Sequence, residues 1–96
     1  MTTSVAQVPT AQAARYVKQL VSHLAHRRTT ELMPDGQGVI RFETGQCLLT
    51  PEAGVLVLTA SADDADALRH VQDVVARHLE RFGARHGLQV SWSAPS

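Results

Sequence analysis

The 96-residue sequence holds one cysteine, Cys47. No intramolecular disulfide is possible, so the fold must rest on its core, and a reducing compartment suits the chain. An excess of either charge is also missing. Nine Lys and Arg face nine Asp and Glu, and the formal net charge is zero. Non-specific nucleic-acid binding needs a basic excess to displace counterions, so it is not expected. An anionic membrane surface has equally little to hold. Weak long-range repulsion instead leaves room for self-association, and a homodimer is among the expected partners. Apolar runs are only a few residues long, far short of a membrane span. The opening MTTSVAQVPTAQ lacks the basic start and apolar core of a signal peptide. These absences together predict a soluble cytoplasmic protein. Catalytic motifs are lacking as well: no Gly-rich phosphate loop, CxxC pair, HExxH or nucleophile elbow occurs. An enzyme is therefore not the leading expectation.

What is present is a set of well-punctuated elements. Residues 1–9 are small and polar and read as a disordered N-terminal tail. A helix is predicted from about Ala11 to Arg27, with Thr10 as N-cap and an apolar stripe of Ala13, Val17, Leu20, Val21 and Leu24. Thr29–Met33 leans towards a short strand. Pro34-Asp35-Gly36 is a turn, since proline presets φ and glycine accepts a positive one. Strands are predicted over Gly38–Glu43, Gln46–Thr50 and Val55–Ala60, and connections this short imply an antiparallel meander. Ser61 is read as the cap of a second helix, with Asp63, Asp64 and Asp66 at the positive end of its dipole. Its stripe is Leu68, Val71, Val75, Leu79 and Phe82, and Gly87 closes it. Leu88, Val90 and Trp92 then alternate with polar residues as a half-buried strand, and residues 94–96 read as a loose tail. The predicted fold class is α+β, a two-layer sandwich of order α-β-β-β(-β)-α-β with both helices on one sheet face. It forms a single domain over residues 10–93.

The histidines carry the chemistry. At about 100° per residue, His78 falls roughly 50° from the centre of the second helix's stripe and is expected half-buried; His70 is expected exposed. On the first helix His23 lies roughly 105° from the stripe centre, beside Tyr16, and His26 roughly 165° away, towards solvent. Residues i and i+3 on a helix are neighbours, so His23 and His26 are candidate ligands for one metal ion. A third ligand is required, and His78 and Cys47 are the candidates. A His/Cys set suits Fe, Zn or Cu. The competing expectations are that the histidines are hydrogen-bonded flank residues and that Cys47 is a small core hydrophobe. Cys47 as a nucleophile would need a base within reach. Arg15 and Arg81 flank the two helices as candidate anion clamps.

Three blocks resemble a known family. Ala14-Arg15-Tyr16-x-x-Gln19-Leu20-x-x-His23-x-x-His26 resembles the opening helix of a bacterial family of domains of unknown function, number twenty-two eighteen. Arg41-Phe42-x-x-Gly45-x-Cys47-x-Leu49 resembles its central hairpin, and His78-Leu79-Glu80-Arg81-Phe82 the end of its second helix. The resemblance runs from Arg15 to Trp92. It implies a domain that stands alone or is appended to siderophore-interacting, flavin-dependent ferric reductase-like proteins, which makes such a flavoreductase an expected partner and iron handling an expected context. By position, the family's polar motif residues fall on Arg15, Tyr16, Gln19, His23, His26, Cys47, His78 and Arg81.

The leading expectation is a small bacterial accessory domain that binds a metal ion (Fe or Zn), haem or a ferric chelate. His23 and His26 would be ligands, His78 or Cys47 the third, and Tyr16 or Gln19 their support. The alternative is a protein-interaction or dimerisation module with purely structural histidines.

Overall fold

Apolar residues recur every second position through most of the chain and every third or fourth in two stretches, which asks for a sheet with two helices laid on it. The computed structural model, which describes residues 1–96, has that form. Its elements are β1 (Thr2–Pro9), α1 (Ala13–Leu24), β2 (Thr29–Leu32), β3 (Gly38–Phe42), β4 (Gly45–Glu52), β5 (Val55–Ala62) and α2 (Ala65–Phe82), with a 3₁₀ turn at Ala84–His86. The sheet order is β1-β5-β4-β3-β2, and every neighbouring pair is antiparallel. Helix α1 lies over β2, β3 and β4; α2 lies over β5, β4 and β1; and the two helices touch.

The core is the layer between them. From the sheet come Ala6, Val8, Ile40, Cys47, Leu49, Leu56, Leu58 and Ala60, and from the helices Tyr16, Val17, Leu20, Leu68, Val71, Val75 and Leu79. Alternation puts the intervening residues Val5, Val39, Leu48, Val57 and Thr59 on the opposite face, over which no helix lies. Close docking of α1 depends on Gly38, where an added Cβ would meet Val21 at 2.8 Å and Val17 at 2.9 Å. The tight turns at Gly36 (φ 93°) and Gly54 (φ 75°) use the positive φ that glycine takes freely.

Both ends of the chain correct the sequence expectation. Residues 1–9 are not a disordered tail. Thr2–Pro9 pairs with β5 along its whole length and buries Ser4, Ala6 and Val8 in the core layer. The period-2 signal is present there but is carried by small residues, which hydropathy weighs lightly. Residues 94–96 are not loose either. The amides of Thr3 and Ser96 each bond to the other's carbonyl at 2.9 Å, and Ser93 N–H reaches Val5 O at 2.8 Å. The Ser4 hydroxyl donates to Ser93 O at 2.6 Å. The stretch Leu88–Trp92 runs extended beside β1 with one bridge, Ala6 to Trp92, in place of a full strand. Trp92 is half-buried at the rim of the core.

Helix boundaries shift for local reasons. Ser61 stays in β5, because pairing with β1 extends that strand to Ala62. The N-cap of α2 is Asp64, whose Oδ1 accepts from Ala67 N–H at 2.7 Å. Thr10 does not cap α1; its hydroxyl accepts from Gln12 N–H at 3.1 Å, one turn earlier. Helix α1 stops at Leu24, whose carbonyl takes both Arg27 and Arg28 amides at 3.2 and 2.9 Å. Phe82 ends α2, and Gly87 (φ 66°) closes the 3₁₀ turn that follows.

Candidate functional site

The early stop of α1 builds the site. Phase along an unbroken helix would send His26 to the wet side, away from the α1–α2 seam. Since the helix ends at Leu24, His26, Arg27 and Arg28 lie in the turn that follows. There they line one groove with His23, Leu24, Val74 and His78, with a volume of about 440 Å³. Leu24 and Val74 are its apolar residues, and no carboxylate lines it.

His23 and His78 face each other across the α1–α2 seam. Their ring centroids are 5.2 Å apart, and the planes are inclined by 53°. The His23 ring also meets Phe82 edge-on at 5.2 Å and 82°. His78 Nδ1 is 2.7 Å from Val74 O. A carbonyl only accepts, so that nitrogen carries its proton and Nε2 is the position left for a ligand or a second proton. His78 is half-buried, as helical phase predicts, and His23 is exposed despite its stacking. Arg28 is anchored by its guanidinium, 4.3 Å above the Phe42 ring, and His70 meets the same ring edge-on at 5.8 Å.

Cys47 is not brought to the histidines. It points into the core layer between Ile40 and Ala60 and is fully buried. Desolvation pushes its thiol up from 9.0 to about 12, against a smaller opposing effect of a backbone hydrogen bond from Thr59. A thiol held protonated is neither a ready metal ligand nor a nucleophile, and the core-hydrophobe expectation for Cys47 fits its position. Among His, Cys, Asp and Glu, no three are grouped so as to hold a metal ion.

The remaining candidates fall elsewhere. Arg15, Tyr16 and Gln19 line a second groove of about 340 Å³ with Gln12, Phe82, Arg85 and His86. Tyr16 is buried, closer to the stripe than its border phase suggests. Arg81 is exposed and lines neither groove. The sequence expectation gives Arg27 and Arg28 no part in a site and Phe82 only a place in the second helix's stripe. The available signal was two arginines directly after a His-x-x-His spacing.

A sequence profile described as an uncharacterized protein conserved in bacteria, DUF2218, matches residues 5–93. The chain belongs to this family. Among solved structures it is similar to the NMR structure of PA4090 from Pseudomonas aeruginosa, with 35% identity and a TM-score of 0.81, covering 97% of this chain and 96% of that one. No curated protein matches. The DUF2218 chain and its structural neighbour thus share one α+β fold over nearly their whole lengths. No helix in it is long and apolar enough to cross a membrane.

Proposed function

We propose that this DUF2218 domain binds a small anionic metal chelate, of the ferric chelate or haem type, in the groove between the end of α1 and the middle of α2. The observation that carries the reading is the His23–His78 pair, 5.2 Å apart, beside Arg27 and Arg28 in a groove without carboxylates. A bare ion needs three or more protein ligands, and the chain groups no such set. A metal that arrives already chelated needs fewer. Its negative groups suit the two arginines, which always carry charge, and Leu24 and Val74 suit an apolar body. His78 has Nδ1–H tied to a backbone carbonyl, the arrangement that fixes an imidazole for work at Nε2. The iron-linked context implied by the resemblance points the same way.

Titration of haem and ferric citrate into the untagged protein tests the reading. Binding in the micromolar range is expected, weakened about tenfold or more in His23→Ala and His78→Ala, the usual cost of removing a metal ligand or its support. If neither compound binds above background, or both variants bind like the wild type, the proposal fails.

A second reading has its own observation. The sheet face away from the helices carries Val5, Leu48 and Val57, each only partly buried. On that reading the domain pairs with a second copy through this face. Sedimentation would then report a concentration-dependent dimer that Leu48→Glu disrupts; a monomer at every concentration would exclude it.

A further inference from the structure

The two grooves lie along one seam. Helices α1 and α2 run antiparallel where they touch, so that His23 meets His78 while Tyr16, seven residues earlier, shares a groove with Phe82, Arg85 and His86. Phe82 belongs to both places: it lines the second groove, and its ring takes the edge contact with His23. From Arg15 to His23 is eight residues, or about 12 Å along the helix axis. The chain is neutral as a whole, yet neither groove contains an Asp or a Glu. Between them they hold Arg15, Arg27, Arg28 and Arg85, and four of the five histidines. The acids are spent elsewhere: Asp64 caps α2, Asp66 pairs with Arg69, Glu31 with Arg41, and Glu80 accepts from Val90 N–H. The seam is thus a trough with a basic pocket at each end and an aromatic divide between them.

From this arrangement we infer that the natural ligand is an elongated small molecule with an acidic group near each end, about 12 Å apart, and an apolar stretch between. One end sits in the His23–Arg28 groove, the middle crosses Phe82, and the other end reaches Arg15 and Arg85, with Gln19 and His86 as further donors. Arg15 is oriented for this by Gln12, whose Oε1 accepts from its Nη1 at 3.3 Å. This inference rests on the first groove being a ligand site. It adds the second groove and the spacing of the ligand's charges.

Linear alkane dicarboxylates of increasing length, each beside the monocarboxylate of equal length, test it without any metal. The ratio of the two affinities cancels the plain effect of a longer apolar chain. That ratio is expected to rise about tenfold or more once the diacid spans both pockets, as a second binding event becomes intramolecular. Arg15→Gln/Arg85→Gln should return it to the short-chain value, and Lys18→Gln, an exposed charge outside both grooves, should leave the rise in place. Both arginines are exposed, so the double variant is expected to fold, which a circular dichroism melt checks. A ratio that stays flat with length, or a rise that survives the double substitution, overturns the inference. The chelate reading fails separately: if haem and ferric citrate do not bind while the length-dependent rise persists, the trough stands without the chelate. If they bind through His23 while the ratio stays flat, the chelate stands without the trough.

Discussion

Cys47 and His78 illustrate how far one side chain's chemistry depends on the strand or helix that carries it. Period-2 alternation turns Cys47 inward, and the resulting desolvation raises its thiol to about 12. In the unfolded chain the thiol ionises near 9.0, so above that pH the unfolded state binds fewer protons than the folded one. Stability must therefore fall as pH rises from about 9 towards 12, by about 1.4 kcal/mol per unit from this group alone. Denaturation of wild type and Cys47→Ala across that range should show the descent flattened in the variant. Parallel slopes would contradict the buried thiol. A disulfide-exchange reagent should likewise leave native Cys47 unmodified until denaturant is added. Gly38 is the other decisive residue, because it sets how closely α1 approaches the sheet. Gly38→Ala forces Val17 and Val21 away and is expected to cost ~1–3 kcal/mol, read from the shift in denaturation midpoint.

At the scale of elements, the first strand and the cap of α2 are where structure and sequence reading part. Strand β1 covers the open edge of β5 and supplies Ala6 and Val8 to the core. Deleting residues 1–8 should therefore abolish cooperative unfolding, whereas a disordered tail could be removed without effect on the melt. Its contact with the C-terminus is a lesser support. Ser93→Ala removes the hydroxyl that accepts from Val5 N–H at 3.0 Å, and should cost ~1 kcal/mol. For α2, Asp64→Ala should cost ~1 kcal/mol and Ser61→Ala much less, since only Asp64 caps an orphan amide. The reverse ranking would return the cap to Ser61. Leu68, Val71, Val75 and Leu79 were readable in order because large apolar side chains at helical spacing carry their own signal. Ser4, Ala6 and Val8 were not, because a small residue reads as inward only when its neighbour strand is known.

On the scale of the whole molecule, the meander of β3, β4 and β5 and the placing of two helices on one face follow from short turns and single apolar stripes. Helix crossing does not. That His78 lies against His23 depends on how α1 and α2 pack, and that His26 and Arg27 join them depends on α1 ending at Leu24. Neither is written in a local pattern. Cys47 and the histidines, by contrast, share a chain but not a place, because Cys47 is enclosed in the core layer beneath the helices while the histidines line the seam at the surface. The central claim is that the His23–His78 groove is a ligand site for an anionic chelate. Its most direct test is an NMR titration with a ferric chelate, read against the matching gallium compound, which carries no unpaired electrons. The account predicts paramagnetic broadening centred on His23, Leu24, Arg28, Val74 and His78, with Val5, Leu48 and Val57 on the far sheet face untouched. Broadening spread evenly over the surface, or centred on that far face, would contradict it.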